Sequence, residues 1–311
     1  MKTVVTGGAG FIGANLVAAL LQDGHEVHII DNLSTGKREN LVELVSQPDC
    51  TFIDGTVTNL DLLRAVFRDI DCVFHQAAIP SVQRSVEDPR ATNEANVNGT
   101  LAVLIAARDC GVKKVVYASS SSIYGDTPTL PKTEEMIPNP KSPYAVTKLT
   151  GEYYCRVFSE VYGLKTVSLR YFNVYGPKQD PSSDYAAVIP RFITRALEQR
   201  PPIIYGDGAQ TRDFTFVRDV AHANIQSMKQ EVEGVFNIAC GERISVNKLA
   251  RIIMELVGVD LGIIYDEPRS GDIKDSLADI SRARKELVYN PEYSLTAGLE
   301  ETIRWFRTAQ T

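Results

Sequence analysis

Tyr144 and Lys148 stand four residues apart in the stretch Tyr144-Ala145-Val146-Thr147-Lys148, a spacing that puts both side chains on one face of a helix. A free phenol titrates near about 10 and is a poor base at neutral pH. An ammonium one turn away stabilises the phenolate and draws that pKa down, so the pair is equipped to take a proton from a hydroxyl group. Ser120 follows the apolar run Val115 to Ser119 and can offer its hydroxyl to the same substrate oxygen, as an orienting donor or a relay. Ser121 and Ser122 come next and are expected at the substrate as well, and strand-end spacing favours Ser120 for that bond. Taken alone, a Tyr/Lys pair at this spacing is also what an ordinary amphipathic helix carries.

The start of the chain supplies the context. In Thr6-Gly7-Gly8-Ala9-Gly10-Phe11-Ile12-Gly13, the glycines Gly7, Gly10 and Gly13 follow a strand and open a helix. Backbone amides and the positive helix end there face a pyrophosphate that no side chain blocks. Asp31 closes the second strand, 18 residues beyond Gly13, where its carboxylate can take both ribose hydroxyls and repels a 2′-phosphate. The expected cofactor is NAD rather than NADP. Lys148 can also reach a nicotinamide ribose, and a cationic nicotinamide favours the Tyr144 phenolate in the same sense as the ammonium does. Together the two stretches indicate redox chemistry at an alcohol carbon.

Positioning these groups requires a particular order of elements. Short β-branched runs alternate with helical patterns: Thr3 to Thr6 and Gly10 to Asp23, then Glu26 to Ile30, Thr51 to Asp54 and Leu60 to Asp69, Cys72 to His75, Lys114 to Ser119, and Thr166 to Arg170. Parallel strands need crossover connections, so this rhythm predicts an α/β fold of the Rossmann type, a doubly wound parallel sheet. Two longer helices are expected over Asp88 to Cys110 and Tyr144 to Tyr162, the second carrying the proton-moving pair. Beyond Arg170 the pattern changes to Pro- and Gly-containing loops between shorter helices, with a further strand at Val235 to Ala239. The expected division is a dinucleotide-binding domain over residues 1–172, whose sheet the late strand near 235–239 joins, and a smaller C-terminal substrate-binding domain, mainly 173–311.

Composition narrows the partners. With 311 residues and 44% hydrophobic content the chain can bury a full core. A net charge of -6 without a long basic run argues against nucleic acid or an anionic membrane surface. The five cysteines are scattered, without a CxxC pair, so neither a disulfide frame nor a zinc or other metal site is indicated. No run of 18 apolar residues and no leader pattern occurs, and a reduced cytoplasmic setting is expected. His75 and Cys240 read as structural: a strand-end imidazole and a core thiol.

The chain resembles the extended short-chain dehydrogenase/reductases, and within them the UDP-hexose 4-epimerases, over essentially its whole length. The resemblance rests on Gly7 to Gly13, Asp31-Asn32-Leu33, His75-Gln76-Ala77-Ala78, Asn96-Val97-Asn98-Gly99-Thr100, Ser119 to Gly125, Ser142-Pro143-Tyr144, Arg170-Tyr171-Phe172-Asn173, Gly206-Asp207-Gly208, Arg218-Asp219-Val220 and Arg269-Ser270-Gly271-Asp272. It implies cofactor contacts from Phe11, Ile12, Asn32, the Ala77-Ala78 backbone, Asn96, Ser119 and Tyr171. It further implies that Asn173, Arg212 and Arg269 meet the UDP diphosphate, that Ala187 and Val188 border the uracil, and that Asp272 belongs to the substrate site. Ser276 would face the hexose, where a small residue leaves room for an N-acetyl group. A two-fold dimer through a four-helix interface is also implied, and apolar residues of the long helices (Leu101, Leu104, Ile105; Ala145, Leu149, Tyr153) are the candidates for it. One departure concerns adenine: the family's acid after the third strand is replaced by Thr56 and Val57.

These residues outline a reaction in which Tyr144 removes the 4-hydroxyl proton, hydride leaves C4, a 4-keto sugar turns about the diphosphate, and hydride returns to its other face. Related dehydratases and decarboxylases carry an acid where this chain has Ser121 and Ser122, which disfavours them. A uronate 4-epimerase shares the Ser-rich motif, but its carboxylate would want an additional donor set. A silent dinucleotide sensor is the remaining alternative, and it has no need of Tyr144, Lys148 and Ser120.

Overall fold

The computed structural model describes residues 1–181, 187–268 and 274–309. Its centre is a parallel sheet of seven strands: β1 (Lys2–Thr6), β2 (Glu26–Asp31), β3 (Cys50–Asp54), β4 (Cys72–His75), β5 (Lys114–Ser120), β6 (Lys165–Tyr171) and the late strand Gly234–Ile238. Their spatial order is Gly234–Ile238, β6, β5, β4, β1, β2, β3. The order reverses between β1 and β4, which pair in register from Thr3 against Cys72 to Thr6 against His75. Ligand crevices form beyond the carboxyl ends of strands at such a switch point. The fold is the doubly wound α/β architecture, with the late strand added beside β6 by parallel pairing of Gly234 with Val167 through Ile238 with Tyr171.

Both sheet faces are buried, which is why the strands read as near-continuous apolar runs. On one face Leu16, Val17 and Leu20 of the helix Phe11–Gln22 join Ile29, Phe74, Leu169 and Phe236 in one core. On the other, Val103, Leu104 and Phe158 pack over Val73, Val115 and Tyr117. A separate core around Phe192, Phe216, Leu249, Ile253 and Phe306 holds the helices of the later half. No helix among the described residues is long and apolar enough to cross a membrane.

The helix expected over Asp88 to Cys110 runs from Pro89 to Asp109 with one π-helical turn inside it. Pro89 has no amide proton to continue a preceding helix, so the segment restarts there with Asp88 as cap, its carboxylate accepting from the Ala91 amide at 2.9 Å. A π-helical turn at Glu94–Asn98 then separates Pro89–Asn93 from Gly99–Asp109. That turn holds Asn96 in the interior, where its amide group bonds the backbone of Ile79 and the hydroxyl of Thr147. Turns of this kind are frequently associated with functional sites.

The helix Pro143–Tyr162 is unbroken. The Ser142 hydroxyl accepts from the Ala145 amide at 3.1 Å, Pro143 occupies the first turn, and Gly163 ends the helix in a left-handed conformation at φ 69°. Tyr144, Lys148 and Glu152, at i, i+4 and i+8, face the sheet. The large apolar side chains left exposed are Val146, Tyr153, Val157, Val161 and Tyr162. This corrects the set expected to meet a second copy of the chain: Leu104 and Ala145 are buried within the fold, and of the six only Tyr153 is clearly exposed.

Glu152 anchors the helix. Its carboxylate accepts from Arg170 Nε at 2.9 Å and Nη2 at 2.8 Å, and from the Ser119 hydroxyl at 2.5 Å. Arg170 Nη1 donates to the Tyr124 hydroxyl at 2.8 Å, which donates to Asn237 Oδ1 at 2.7 Å. Helix, β5, β6 and the late strand are thereby joined in one buried network, with the Arg170 and Glu152 side chains 5% and 3% exposed. Removing one partner leaves an uncompensated buried charge, a loss of about 3–5 kcal/mol. Arg170→Met is therefore expected to lower the unfolding free energy measured by denaturant titration by that amount; a change below about 1 kcal/mol would show the pair to be dispensable.

Candidate active site

A cleft opens at the switch point and holds about 1030 Å³ of space continuous with solvent. Gly7, Gly10, Phe11, Ile12 and Gly13 form one wall, with Asp31 and Asn32 at one end and Ser119, Tyr144, Lys148 and Tyr171 at the other. Ala77 and Ala78 lie along it, as do Gln76, Ile79 and Pro80. Backbone packing dictates two of the glycines. Gly7 sits at φ +70°, and a Cβ there would lie 2.6 Å from the Ala77 backbone; one on Gly13 would lie 2.2 Å from the Gly7 carbonyl oxygen. The approach of the first turn to β4 leaves a bare cradle at the start of the helix, the shape a pyrophosphate requires.

Asp31 is buried at the adenosine end. Its two oxygens accept from the amides of Ala9 at 2.9 Å and Leu33 at 2.8 Å, so the carboxylate is already oriented toward the cleft by the backbone. Burial pushes its pKa up, against the effect of both amides. Thr56 and Val57, the residues in place of an acid, line the same end together with Gly55, Ser34 and Thr35. Beside Asp31, this end thus presents hydroxyls, backbone and the apolar Val57.

At the opposite end the Tyr144 phenol lies near enough to Ser120 for that hydroxyl to draw its pKa down. The Ser120 hydroxyl also accepts from the Ser122 amide at 3.1 Å, which fixes its rotamer at the strand end. Lys148 is buried, donates to the Ala118 carbonyl at 2.8 Å, and places its ammonium 5.9 Å from the centre of the Tyr144 ring. One expectation is corrected here. In the protein alone the Tyr144 pKa is moved up, by burial foremost, with the Ser120 hydroxyl opposing, rather than down by Lys148. The ammonium reaches the carbonyl of Ala118 instead of the phenol oxygen. Burial in turn brings Lys148 down to about 8.

Asn96 does not line the cleft. Its side chain holds Ile79, accepting from that amide at 2.8 Å, so its part is to fix the loop that does line it. Tyr171 lines the cleft, and its hydroxyl is tied to Gln76 and Asn224. His75 bridges the hydroxyls of Thr6 and Thr100 at 2.7 and 2.9 Å, and burial first and the Lys148 charge second hold it neutral, with a pKa near 3. It is structural. Cys240 is only half-buried by surface, yet its thiol is pushed up to about 12 by burial, so it is unreactive.

A smaller pocket of about 340 Å³ lies past the strand end. It gathers Ser121, Asn173, Arg212 and Ser276, four of the residues expected at the substrate, with Tyr124, Gly125, Lys132, Phe172 and Asp275. Asn173 adopts φ 35° and donates to the Asp213 carbonyl at 2.9 Å, which fixes its side chain. The Ser122 hydroxyl is buried without a hydrogen-bond partner. Ala187 and Val188 start the helix Val188–Leu197 and line neither pocket. Arg269 and Asp272 lie outside the described residues. Sequence reasoning missed Lys132 and Asp275. Lys132 is brought in by a bridge to Ala278, a contact between segments that no local pattern announces. Gln76 had a signal, following directly on the β4 strand end.

The model of the NAD dependent epimerase/dehydratase family matches residues 3–239. The chain belongs to that family. NAD is its cofactor, and the glycine cradle and Asp31 fit it. A UDP-glucose 4-epimerase of Mycolicibacterium smegmatis is 40% identical over 99% of both chains. A UDP-glucuronate 4-epimerase of Thermodesulfobacterium geofontis is 38% identical over 97% of this chain and 95% of its own. Among solved structures, a UDP-N-acetylglucosamine 4-epimerase from Methanobrevibacter ruminantium in complex with UDP-N-acetylmuramic acid superposes with a TM-score of 0.96 at 44% identity, covering 99% of this chain and 98% of that one.

The titration of Lys148 has a consequence for rate. With a pKa near 8 it is charged below that pH and neutral above, so its support for a Tyr144 phenolate is present on the acid side and lost on the alkaline side. Turnover is expected to fall as pH rises through about 8, and Lys148→Arg, whose charge persists, to move that fall upward by about one pH unit or more. A pH profile of kcat with the same alkaline limb in both proteins would assign the limb to another group.

Proposed function

We propose that the protein is a UDP-hexose 4-epimerase, interconverting UDP-glucose and UDP-galactose and accepting their N-acetylated counterparts. The observation that carries this reading is the arrangement about one strand end: Tyr144, Lys148 and Ser119 line the dinucleotide cleft, while Ser121, two residues on, lines the smaller pocket with Asn173, Arg212 and Ser276. In this scheme Tyr144 takes the proton of the sugar 4-hydroxyl, Ser120 orients that oxygen, and Lys148 stabilises the phenolate form. Bound NAD supplies an acceptor for the C4 hydride and its return, so the cycle has no net redox change.

Arg212 and Asn173 hold the diphosphate while the 4-keto hexose turns over, since the nucleotide must stay anchored for the second face to be presented. The serines at 121 and 122 supply no acid for eliminating water or losing carbon dioxide, which supports epimerisation over those outcomes. Ser276, small and partly exposed in the pocket, leaves space at the sugar for an acetamido group.

The test is a panel of UDP-glucose, UDP-N-acetylglucosamine and UDP-glucuronate with purified holoenzyme and no added reductant, with products resolved by NMR. A C4 epimer of a neutral UDP-hexose is expected, with Tyr144→Phe reducing kcat by about a hundredfold to ten-thousandfold. A deoxy-keto or pentose product, or full activity in the variant, would contradict the reading.

A further inference from the structure

Lys132 has no part in the reaction as drawn above, yet it is 3% exposed and lines the smaller pocket. Its ammonium donates to the Thr127 carbonyl and, at 2.6 Å, to the Thr127 hydroxyl. Both acceptors are neutral. Among the described residues no carboxylate lies within ion-pair distance, and an ammonium has three donors, of which these bonds use two. Asp126, whose charge is felt by Lys132, is paired with Lys141 at 3.5 Å. The pocket's one acid, Asp275, accepts from the Thr211 hydroxyl at 2.5 Å and faces Arg243 at 3.7 Å. A buried cation without a counter-charge is costly, and burial depresses its pKa. An anion entering the pocket would relieve that cost.

Its place in the pocket says which part of a ligand it meets. Lys132 shares the pocket with Ser121 and Gly125, which border the strand end where Ser120 meets Tyr144, whereas Arg212 comes from the later half of the chain. Arg212 suits the diphosphate, and Lys132 then stands by the hexose ring. We propose that Lys132 is a specificity residue that reads a carboxylate on the hexose, so that the site takes carboxylated UDP-hexoses in addition to neutral ones. This rests on the epimerase reading. Lys132 is the additional donor that a sugar carboxylate requires and that the Ser-rich motif by itself lacks.

Two carboxylated classes carry the same chemistry: a uronate, oxidised at C6, and a 3-O-lactyl ether. Calorimetric titration of NAD-loaded protein with UDP-glucuronate, UDP-N-acetylmuramate and UDP-glucose separates them. At least one acidic ligand is expected to bind about tenfold or more tightly than UDP-glucose. Lys132→Met is expected to bring that ratio close to one, and Lys132→Arg, which keeps the charge, to restore most of it. The acidic ligand that shows the preference locates the carboxylate. The proposal is overturned if neither acidic ligand is preferred by the wild type, or if Lys132→Met leaves the ratio unchanged while Lys132→Arg is folded and active. If UDP-glucose itself does not bind, the epimerase reading fails first, and that outcome is distinct from equal binding of all three.

Discussion

The buried contact of Glu152 with Arg170 and Ser119 is the constraint on which the rest of the site depends. Tyr144, Lys148 and Glu152 share one helical face, and a face with three polar side chains cannot be buried by hydrophobic packing alone. Each needs a partner below. Glu152 finds Arg170 and Ser119, Lys148 finds the Ala118 carbonyl, and Tyr144 finds Ser120. Three of these four partners lie on consecutive residues of β5, so satisfying the helix also fixes the strand end beside the cleft.

The electrostatics of the bare protein run against the chemistry it performs. Burial raises the Tyr144 pKa and lowers that of Lys148, so both charged forms are disfavoured. A phenolate and an ammonium become favourable there together, each stabilising the other in a site of low dielectric. The same burial keeps His75 neutral. The glycine cradle contributes in a different way, by close approach rather than charge.

Much of this was legible in the residues. The strand-helix rhythm, the glycine turn with Asp31 and the Tyr144/Lys148 spacing are local patterns, and local patterns survive folding. Ser121, Asn173, Arg212 and Ser276, expected from resemblance, share one pocket. What sequence could not supply came from long-range contacts and from backbone detail. The π turn that directs Asn96 to Ile79 is invisible to helical periodicity. Lys132 reaches the pocket through pairing with Ala278, and of the apolar residues expected on an outer stripe Leu104 and Ala145 are needed inside while Tyr153 stays exposed.

The central claim is that one site oxidises and re-reduces the same carbon with a cofactor that never leaves. The direct measurement is turnover of UDP-glucose carrying deuterium at C4, with excess unlabelled NADH in solution. Deuterium retained at C4 of UDP-galactose, on the opposite face, is the predicted result. Loss of the label to the NADH pool or to solvent would contradict the account.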